Sequence, residues 1–80
     1  MKIKMTVNEF VMKTWYIQHI IIVKMSELNK LNNADLIAIK EVALFSGAVH
    51  EFRSYLYKDI YTMNVHSYGV IDNCLIIEVE

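Results

Sequence analysis

The chain has 80 residues, of which 55% are hydrophobic and 21% are charged, and its formal net charge at pH 7 is −1. This length predicts one domain over residues 1–80, and the hydrophobic share is too high for a disordered chain. A general nucleic-acid binder carries a clustered excess of Lys and Arg, so the net charge argues against that class.

The first predicted element is a helix that begins after Thr6. Thr6 and Glu9 have the spacing of a capping box, in which each side chain accepts a hydrogen bond from the backbone amide of the other residue. Met5 and Phe10 occupy the positions of a hydrophobic staple across the helix start. Apolar residues continue at helical spacing to Val11, a spacing that Trp15 also fits, and predict one buried face.

A β-branched run at residues 20–23 predicts a central strand. The run is too short for a buried helix and far shorter than the roughly 20 residues of a membrane-spanning helix. No long apolar stretch follows Lys2 and Lys4, so the sequence predicts neither export through a secretion signal nor a membrane segment.

The middle of the chain is less regular. Residues 26–35 are rich in Asn, Ser and charge, which predicts a polar connection with one short helical turn around residues 27–31. Residues 36–45 fit two patterns, because some apolar side chains recur at helical spacing and others alternate as in a strand. We expect a strand over 36–45, with a helix as the alternative.

A second helix is expected after a break at Ser46 and Gly47. Val49, Phe52 and Leu56 fall on one helical stripe, and the opposite side of this stretch is polar. The pattern predicts a short helix that packs on the sheet through these three side chains.

The end of the chain alternates between apolar and polar side chains in two stretches, residues 59–67 and 75–79. Asp72 and Asn73 between them tolerate positive φ, which a two-residue hairpin turn requires. The predicted fold class is therefore α+β, with two short helices packed on a small, mainly antiparallel sheet that ends in a C-terminal β-hairpin.

The register of the hairpin depends on its turn. A two-residue turn at Asp72 and Asn73 produces the pairs Val70–Leu75 and Tyr68–Ile77. The apolar side chains of residues 59–67 then lie on the opposite face unless a bulge near Gly69 shifts the register. We expect either this bulge or a longer turn.

Histidine and cysteine do not form a recognisable metal site. His50 and Glu51 begin like the zinc-protease motif His-Glu-x-x-His, but Ser54 occupies the position of the second histidine. His66 and Cys74 could approach each other across the hairpin, yet two ligands make a poor zinc site. The sequence therefore predicts no bound metal.

Catalysis and cofactor binding are not expected either. Two glycines are too few for a phosphate-binding loop or a dinucleotide fingerprint. Cys74 is the single cysteine, and its apolar neighbours predict a buried thiol in a reducing, cytoplasmic setting rather than a nucleophile. We expect no enzyme and no cofactor; a minimal enzyme with His50 or His66 as base ranks last.

Tyrosines near basic residues are the feature most typical of a functional surface, since Tyr, Trp and Arg are enriched in interface hot spots. A chain this short cannot bury so much apolar surface, which predicts a homodimer or an obligate protein partner. The candidate partner-binding residues are Arg53, Tyr55, Tyr57, Lys58, Tyr61 and Tyr68.

A small nucleic-acid-associated or regulatory module is the alternative. Residues 1–40 carry six lysines and three acidic residues, whereas residues 41–80 carry two basic and six acidic residues. Aromatic side chains beside a positive groove can stack on bases. The strand with Tyr61 and Tyr68 lacks neighbouring Lys and Arg, so a protein partner is preferred.

Several segments of the chain resemble those of a known group of proteins. They are residues 43–49, Phe52, residues 55–56, 59–65 and 72–79, preceded by residues 7–10 and 20–23. This pattern resembles small uncharacterised accessory proteins of phages and prophages of low-GC Gram-positive bacteria. The resemblance implies a protein in the host cytoplasm that binds a host protein, as anti-CRISPR inhibitors of bacterial defence do, and it carries over no functional residue.

Overall fold

The structure, a computed structural model, describes residues 5–33, 35–52 and 56–80. These ranges form an α+β domain in which short helices pack on a four-stranded sheet. In chain order the elements are α1 (Val7–Met12), β1 (His19–Lys24), α2 (Met25–Leu28), α3 (Leu36–Val42), β2 (Phe45–Ala48), a 3₁₀ helix (Val49–Glu51), α4 (Lys58–Tyr61), β3 (Val65–Ile71) and β4 (Cys74–Val79).

The sheet has the strand order β2-β1-β4-β3. β1 pairs with β2 in antiparallel and with β4 in parallel orientation, and β3 and β4 form an antiparallel hairpin. β1 is a central strand, as predicted. Its four inner residues, 20–23, are all buried, because helices cover the sheet on both sides.

Alternation along the strands divides the core between the two sides of the sheet. One side, the aromatic face, is covered by α1, the 3₁₀ helix and α4; its buried residues are Val7, Val11, Ile20, Ile22, Phe45, Val49, Phe52, Val65, Ile77 and Val79. The other side, the aliphatic face, is covered by α2 and α3; its buried residues are Ile21, Val23, Ile39, Cys74 and Ile76.

The predicted capping box starts α1. The amide of Glu9 donates to the hydroxyl oxygen of Thr6 at 3.2 Å, and the amide of Thr6 donates to the Glu9 carboxylate at 3.2 Å. Two hydrogen bonds from Thr6 hold the pKa of the Glu9 carboxyl below its ordinary value. The bond from the Thr6 backbone amide has the larger effect, and the bond from the Thr6 side chain has the smaller effect.

The hairpin has the predicted two-residue turn. Asp72 and Asn73 have φ values of 49° and 65°. The strands pair Val70 with Leu75 and Tyr68 with Ile77. The expected bulge exists but lies between Val65 and Ser67 rather than near Gly69.

The strand predicted at residues 36–45 is wrong, because most of that stretch is α3. The Asp35 carboxylate accepts a hydrogen bond from the amide of Ala38 at 2.8 Å and caps the helix. Helical spacing then turns Ile39 into the aliphatic face, and β2 begins only at Phe45. Ser46 and Gly47 lie within β2, so the predicted break is also wrong.

Two other elements differ in extent. The second helix is a single 3₁₀ turn, Val49–Glu51, and Leu56, which was expected on its buried stripe, is exposed. The strand predicted at residues 59–67 starts only at Val65, because α4 occupies Lys58–Tyr61. The helical turn predicted around residues 27–31 is α2, slightly earlier in the chain.

Candidate functional site

The candidate tyrosines do not form one surface. Tyr57 and Tyr61 are half-buried on the aromatic face, where the Tyr57 ring lies 5.1 Å from the rings of Phe45 and Phe52. The Tyr61 ring lies 5.9 Å from that of Phe52. These two tyrosines therefore contribute to the core as well as to the surface.

The remaining candidates are distributed as follows. Arg53 and Tyr55 lie outside the described residues. Lys58 is exposed at the start of α4, beside the acidic Asp59, so the local charges largely offset each other. A shallow groove of about 480 Å³ beside them is lined by Leu44, Leu56, Tyr57, Lys58, Asp59 and Ile60.

Tyr68 belongs to a different part of the molecule, where β3 meets α1. Its ring lies 5.0 Å from the ring of Phe10. An open groove of about 360 Å³ runs beside this pair and is lined by Met5, Phe10, Lys13, Thr14, Tyr68 and Leu75. Lys13 is the charged residue of this lining, and the other side chains are apolar or neutral.

The loop of residues 13–18 continues from the groove and exposes three large apolar side chains in succession. Trp15 is 67% exposed, Tyr16 is 62% exposed and Ile17 is 50% exposed. Because apolar side chains are normally buried, three such neighbours in water are a typical sign of a contact surface. We call the set Phe10, Trp15, Tyr16, Ile17, Tyr68 and Val70 the loop–hairpin surface.

Hydrogen bonds fix the backbone that carries these side chains. The Thr14 hydroxyl donates to the carbonyl of Phe10 at 2.9 Å, and the Gln18 side-chain amide donates to the carbonyl of Asn73 at 2.8 Å. The amide of His50 donates to the carbonyl of Tyr16 at 2.9 Å. The loop is therefore tied to α1, to the hairpin turn and to the 3₁₀ helix.

Sequence reasoning missed this loop because Trp15 also fits the helical spacing that leads to Val11, which predicts a buried rather than an exposed side chain. α1 ends at Met12 and β1 begins at His19, which leaves the residues between them outside both elements. The available signal was three consecutive large apolar residues, which cannot all face one core at either helical or strand spacing.

His66 and Cys74 lie near opposite ends of the hairpin. Cys74 is buried on the aliphatic face and pairs with Ile71 at the turn end of the hairpin, whereas His66 lies near the opposite end, where Val65 pairs with Val79. The approach of His66 to Cys74 that the sequence left open therefore does not occur. Among the described residues, no group of three His, Cys, Asp or Glu side chains is placed to hold a metal ion.

Comparison with protein-family models, with curated proteins and with solved structures finds no match to this chain. Within the described ranges, no helix has the length and apolar character that crossing a bilayer requires.

Proposed function

We propose that this protein is a small, non-enzymatic binding module that recognises a host protein through the loop–hairpin surface. The observation that carries the proposal is the joint exposure of Trp15, Tyr16 and Ile17 on a loop with a fixed backbone. Trp and Tyr dominate interface hot spots because they bury a large area and keep a polar group for hydrogen bonding. A fixed backbone also lowers the entropy lost on binding.

The groove beside the loop supports the same proposal. It joins Phe10, Tyr68 and Leu75 into an apolar depression that can receive one aliphatic or aromatic side chain of a partner. Lys13 is the one cation among the described residues that line the groove. This favours a protein partner over nucleic acid, since a nucleic-acid groove needs several cations along the phosphate backbone.

The biological role that we propose is inhibition or modulation of a host defence protein, such as a CRISPR effector, in the cytoplasm of the host cell. This role depends on the resemblance of the chain to phage accessory proteins. The exposed aromatic loop supports binding by surface contact, which is how a small protein without a catalytic centre can inhibit a much larger one.

The test of binding uses a matched pair of variants. Trp15→Ser combined with Ile17→Ser removes apolar surface from the loop, and Ile37→Ser removes it from α3 on the aliphatic face, where Ile37 is 72% exposed. A photo-reactive residue at position 16 is expected to cross-link one specific protein in lysate of a low-GC Gram-positive host, and the same residue at position 37 is not.

The double variant is expected to lose the cross-linked protein, and Ile37→Ser is expected to keep it. Equal capture from positions 16 and 37, or capture of single-stranded nucleic acid alone, contradicts the proposal. The inhibitory role is tested separately by phage plaque counts on a CRISPR-active host. Wild type and Ile37→Ser should raise the counts, and the double variant should not.

A further inference from the structure

The large apolar side chains that are exposed in the described part of the chain are concentrated at one end of the molecule. Ile37 on α3 and Leu56 before α4 are the exceptions. The others lie at the end of α1, in the loop of residues 13–18 and on β3, and they are Met12, Trp15, Tyr16, Ile17, Tyr68 and Val70. All of these belong to the loop–hairpin surface except Met12, which directly precedes the loop.

The exposed area of this end is close to that of one side of a protein interface. The residues Trp15, Tyr16 and Tyr68 are 56–67% exposed, which for whole aromatic side chains of about 150–250 Å² gives roughly 300–450 Å². Three further apolar side chains, each at least 50% exposed, add to this area. The largest apolar patch of a typical monomer is about 300–600 Å², and a standard interface contains about 800 Å² on each partner. The surface therefore approaches what one half of a dimer interface needs.

The same surface contains a ridge and a groove that are neighbours. Trp15, Tyr16 and Ile17 form the ridge. The groove of about 360 Å³ lies between α1 and the hairpin, and Phe10 and Thr14 line its α1 side. Thr14 directly precedes Trp15, so the ridge begins where this side of the groove ends. An apolar ridge beside an apolar groove is complementary to itself, as a two-fold interface requires.

The charge at this end of the molecule also suits such a contact. The side chains of the ridge carry no formal charge, so they do not repel an identical surface. Lys13 is the cation of the groove lining. A Lys ammonium is attracted to the face of an aromatic ring, and most strongly to the indole of Trp. Trp15 is therefore the ridge side chain that fits this groove best.

We propose that the loop–hairpin surface of the free protein is covered by the same surface of a second copy, with Trp15 of each copy in the groove of the other. Two-fold symmetry makes the two contacts identical, because each copy contributes one ridge and one groove. The exposed area, the uncharged ridge and the groove beside it are all matched by an identical surface.

This inference rests on the surface of the proposed function and adds a regulation of it. A host protein that binds the loop–hairpin surface has to displace the second copy. Self-association therefore weakens the apparent affinity for the host protein by the fraction of chains that are monomeric. Binding should weaken as the concentration of this protein rises above the dissociation constant of its dimer.

Trp15 is the single tryptophan of the chain, so its fluorescence reports directly on this surface. The emission of an indole moves to shorter wavelength when the ring leaves water. Light scattering of wild type at micromolar concentration should give twice the chain mass of 9.4 kDa, and dilution should move the emission to longer wavelength. The mass of one chain, together with an emission that does not change with concentration, would overturn the proposal.

A pair of variants tests the contact between ridge and groove. Trp15→Ser removes the ridge side chain, and Tyr68→Glu places a charge in the groove. Both positions are mostly exposed, so circular dichroism should show folded protein. Each variant alone should associate at least about tenfold more weakly than wild type, because both contacts of its dimer are lost.

An equimolar mixture of the two variants should recover part of the association. Trp15 of the Tyr68→Glu copy then enters the intact groove of the Trp15→Ser copy, which restores one of the two contacts. The emission of this tryptophan should move to shorter wavelength on mixing. A mixture that associates no better than the separate variants would overturn the contact between ridge and groove.

Ile37→Glu is the matched control, because it adds the same charge at an exposed position on α3. It should associate like wild type, and an association as weak as that of Tyr68→Glu would contradict the proposal. A wild-type emission that responds to phosphatidylcholine vesicles but not to protein concentration would also overturn it, since the occupant would then be a lipid surface.

Cross-linking from position 16 in host lysate separates this inference from the proposed function. Capture of a host protein by a chain that is monomeric when purified would overturn only the dimer. A dimer that captures no host protein, even after dilution below its dissociation constant, would overturn only the proposed function.

Discussion

Each edge strand of the sheet contains one glycine, Gly47 in β2 and Gly69 in β3, and the surroundings of the two glycines differ. At the β2 edge a Cβ atom on Gly47 would lie 3.1 Å from the Glu51 carboxylate and 3.2 Å from the ring of Phe45. The carboxylate is held there by a hydrogen bond of 2.8 Å from the amide of Ala48. Gly69 at the β3 edge meets nothing within 4 Å.

The aromatic contacts follow the same division. Near β2 the ring of Phe45 lies 5.0 Å from Phe52 and 5.1 Å from Tyr57, and both phenylalanines are buried. Near β3 the ring of Tyr68 contacts Phe10 but is 56% exposed. The glycine and the rings at the β2 edge are therefore packed by described residues, whereas Gly69 and Tyr68 at the β3 edge are exposed.

The largest expected effect comes from the aromatic cluster at the β2 edge. Phe52→Ala should lower the free energy of unfolding by about 3–5 kcal/mol, because it removes a buried ring that contacts three other rings. Tyr68→Ala should cost about 1 kcal/mol or less, since its ring is mostly in water. Urea unfolding measures the free energy of unfolding of both variants, and equal losses would show that the two edges do not differ in packing.

The two glycines should respond in opposite directions to the same substitution. Gly47→Ala should destabilise the protein by roughly 1–3 kcal/mol, because Phe45 is buried and cannot move aside without disturbing the cluster. Gly69→Ala should be neutral or stabilising by about 0.5–1 kcal/mol, since alanine restricts the unfolded chain and fits the strand. Thermal unfolding of dilute protein checks both signs; a stabilised Gly47→Ala would contradict the packing argument.

A smaller effect is expected where β3 is covered by its own chain. Thr6→Ala should lower stability by roughly 1 kcal/mol, because Thr6 caps α1 through its hydroxyl oxygen. Thr62→Ala is the matched control, since Thr62 is exposed and makes no capping hydrogen bond through its side chain. A loss of the same size in the control would show that the cap is not responsible.

The smallest expected effect is a pH dependence at the same cap. The pKa of Glu9 is lowered in the folded protein, so its carboxylate stabilises the fold above the unfolded pKa. That contribution should disappear as the pH falls below about 4.5 and through the folded pKa. The melting temperatures of wild type and Glu9→Gln should therefore differ at pH 7 and converge at low pH. A difference that stays constant with pH would exclude the charge as its source.

Elements specified by neighbouring residues could be predicted from the sequence. The capping box, the central strand and the hairpin turn with its pairs each depend on residues a few positions apart. Tyr68 was identified as a candidate surface residue in the same way. It lies on the loop–hairpin surface, although what it binds is still a proposal.

Elements that depended on distant contacts could not be predicted in this way. Residues 36–45 fit both a helix and a strand, and a strand was expected; the structure has α3 there, with Ile39 buried in the aliphatic face. Residues 59–67 alternate like a strand, yet Tyr61 turns inward to Phe52 on a short helix. The exposed loop at residues 13–18 was missed because the ends of α1 and β1 were unknown.

The sequence by itself determined the local geometry of this protein, because caps, turns and β-branched runs act through bonds and sterics within a few residues. Only the tertiary structure decided the parallel pairing of β1 with β4, the division of the core between two faces and the difference between the two edges. These features join residues that are far apart in the chain, and no local pattern records which of them meet. Positions 47 and 69 both hold glycine, and only the tertiary structure shows that side chains pack closely against Gly47 while Gly69 lies in open space.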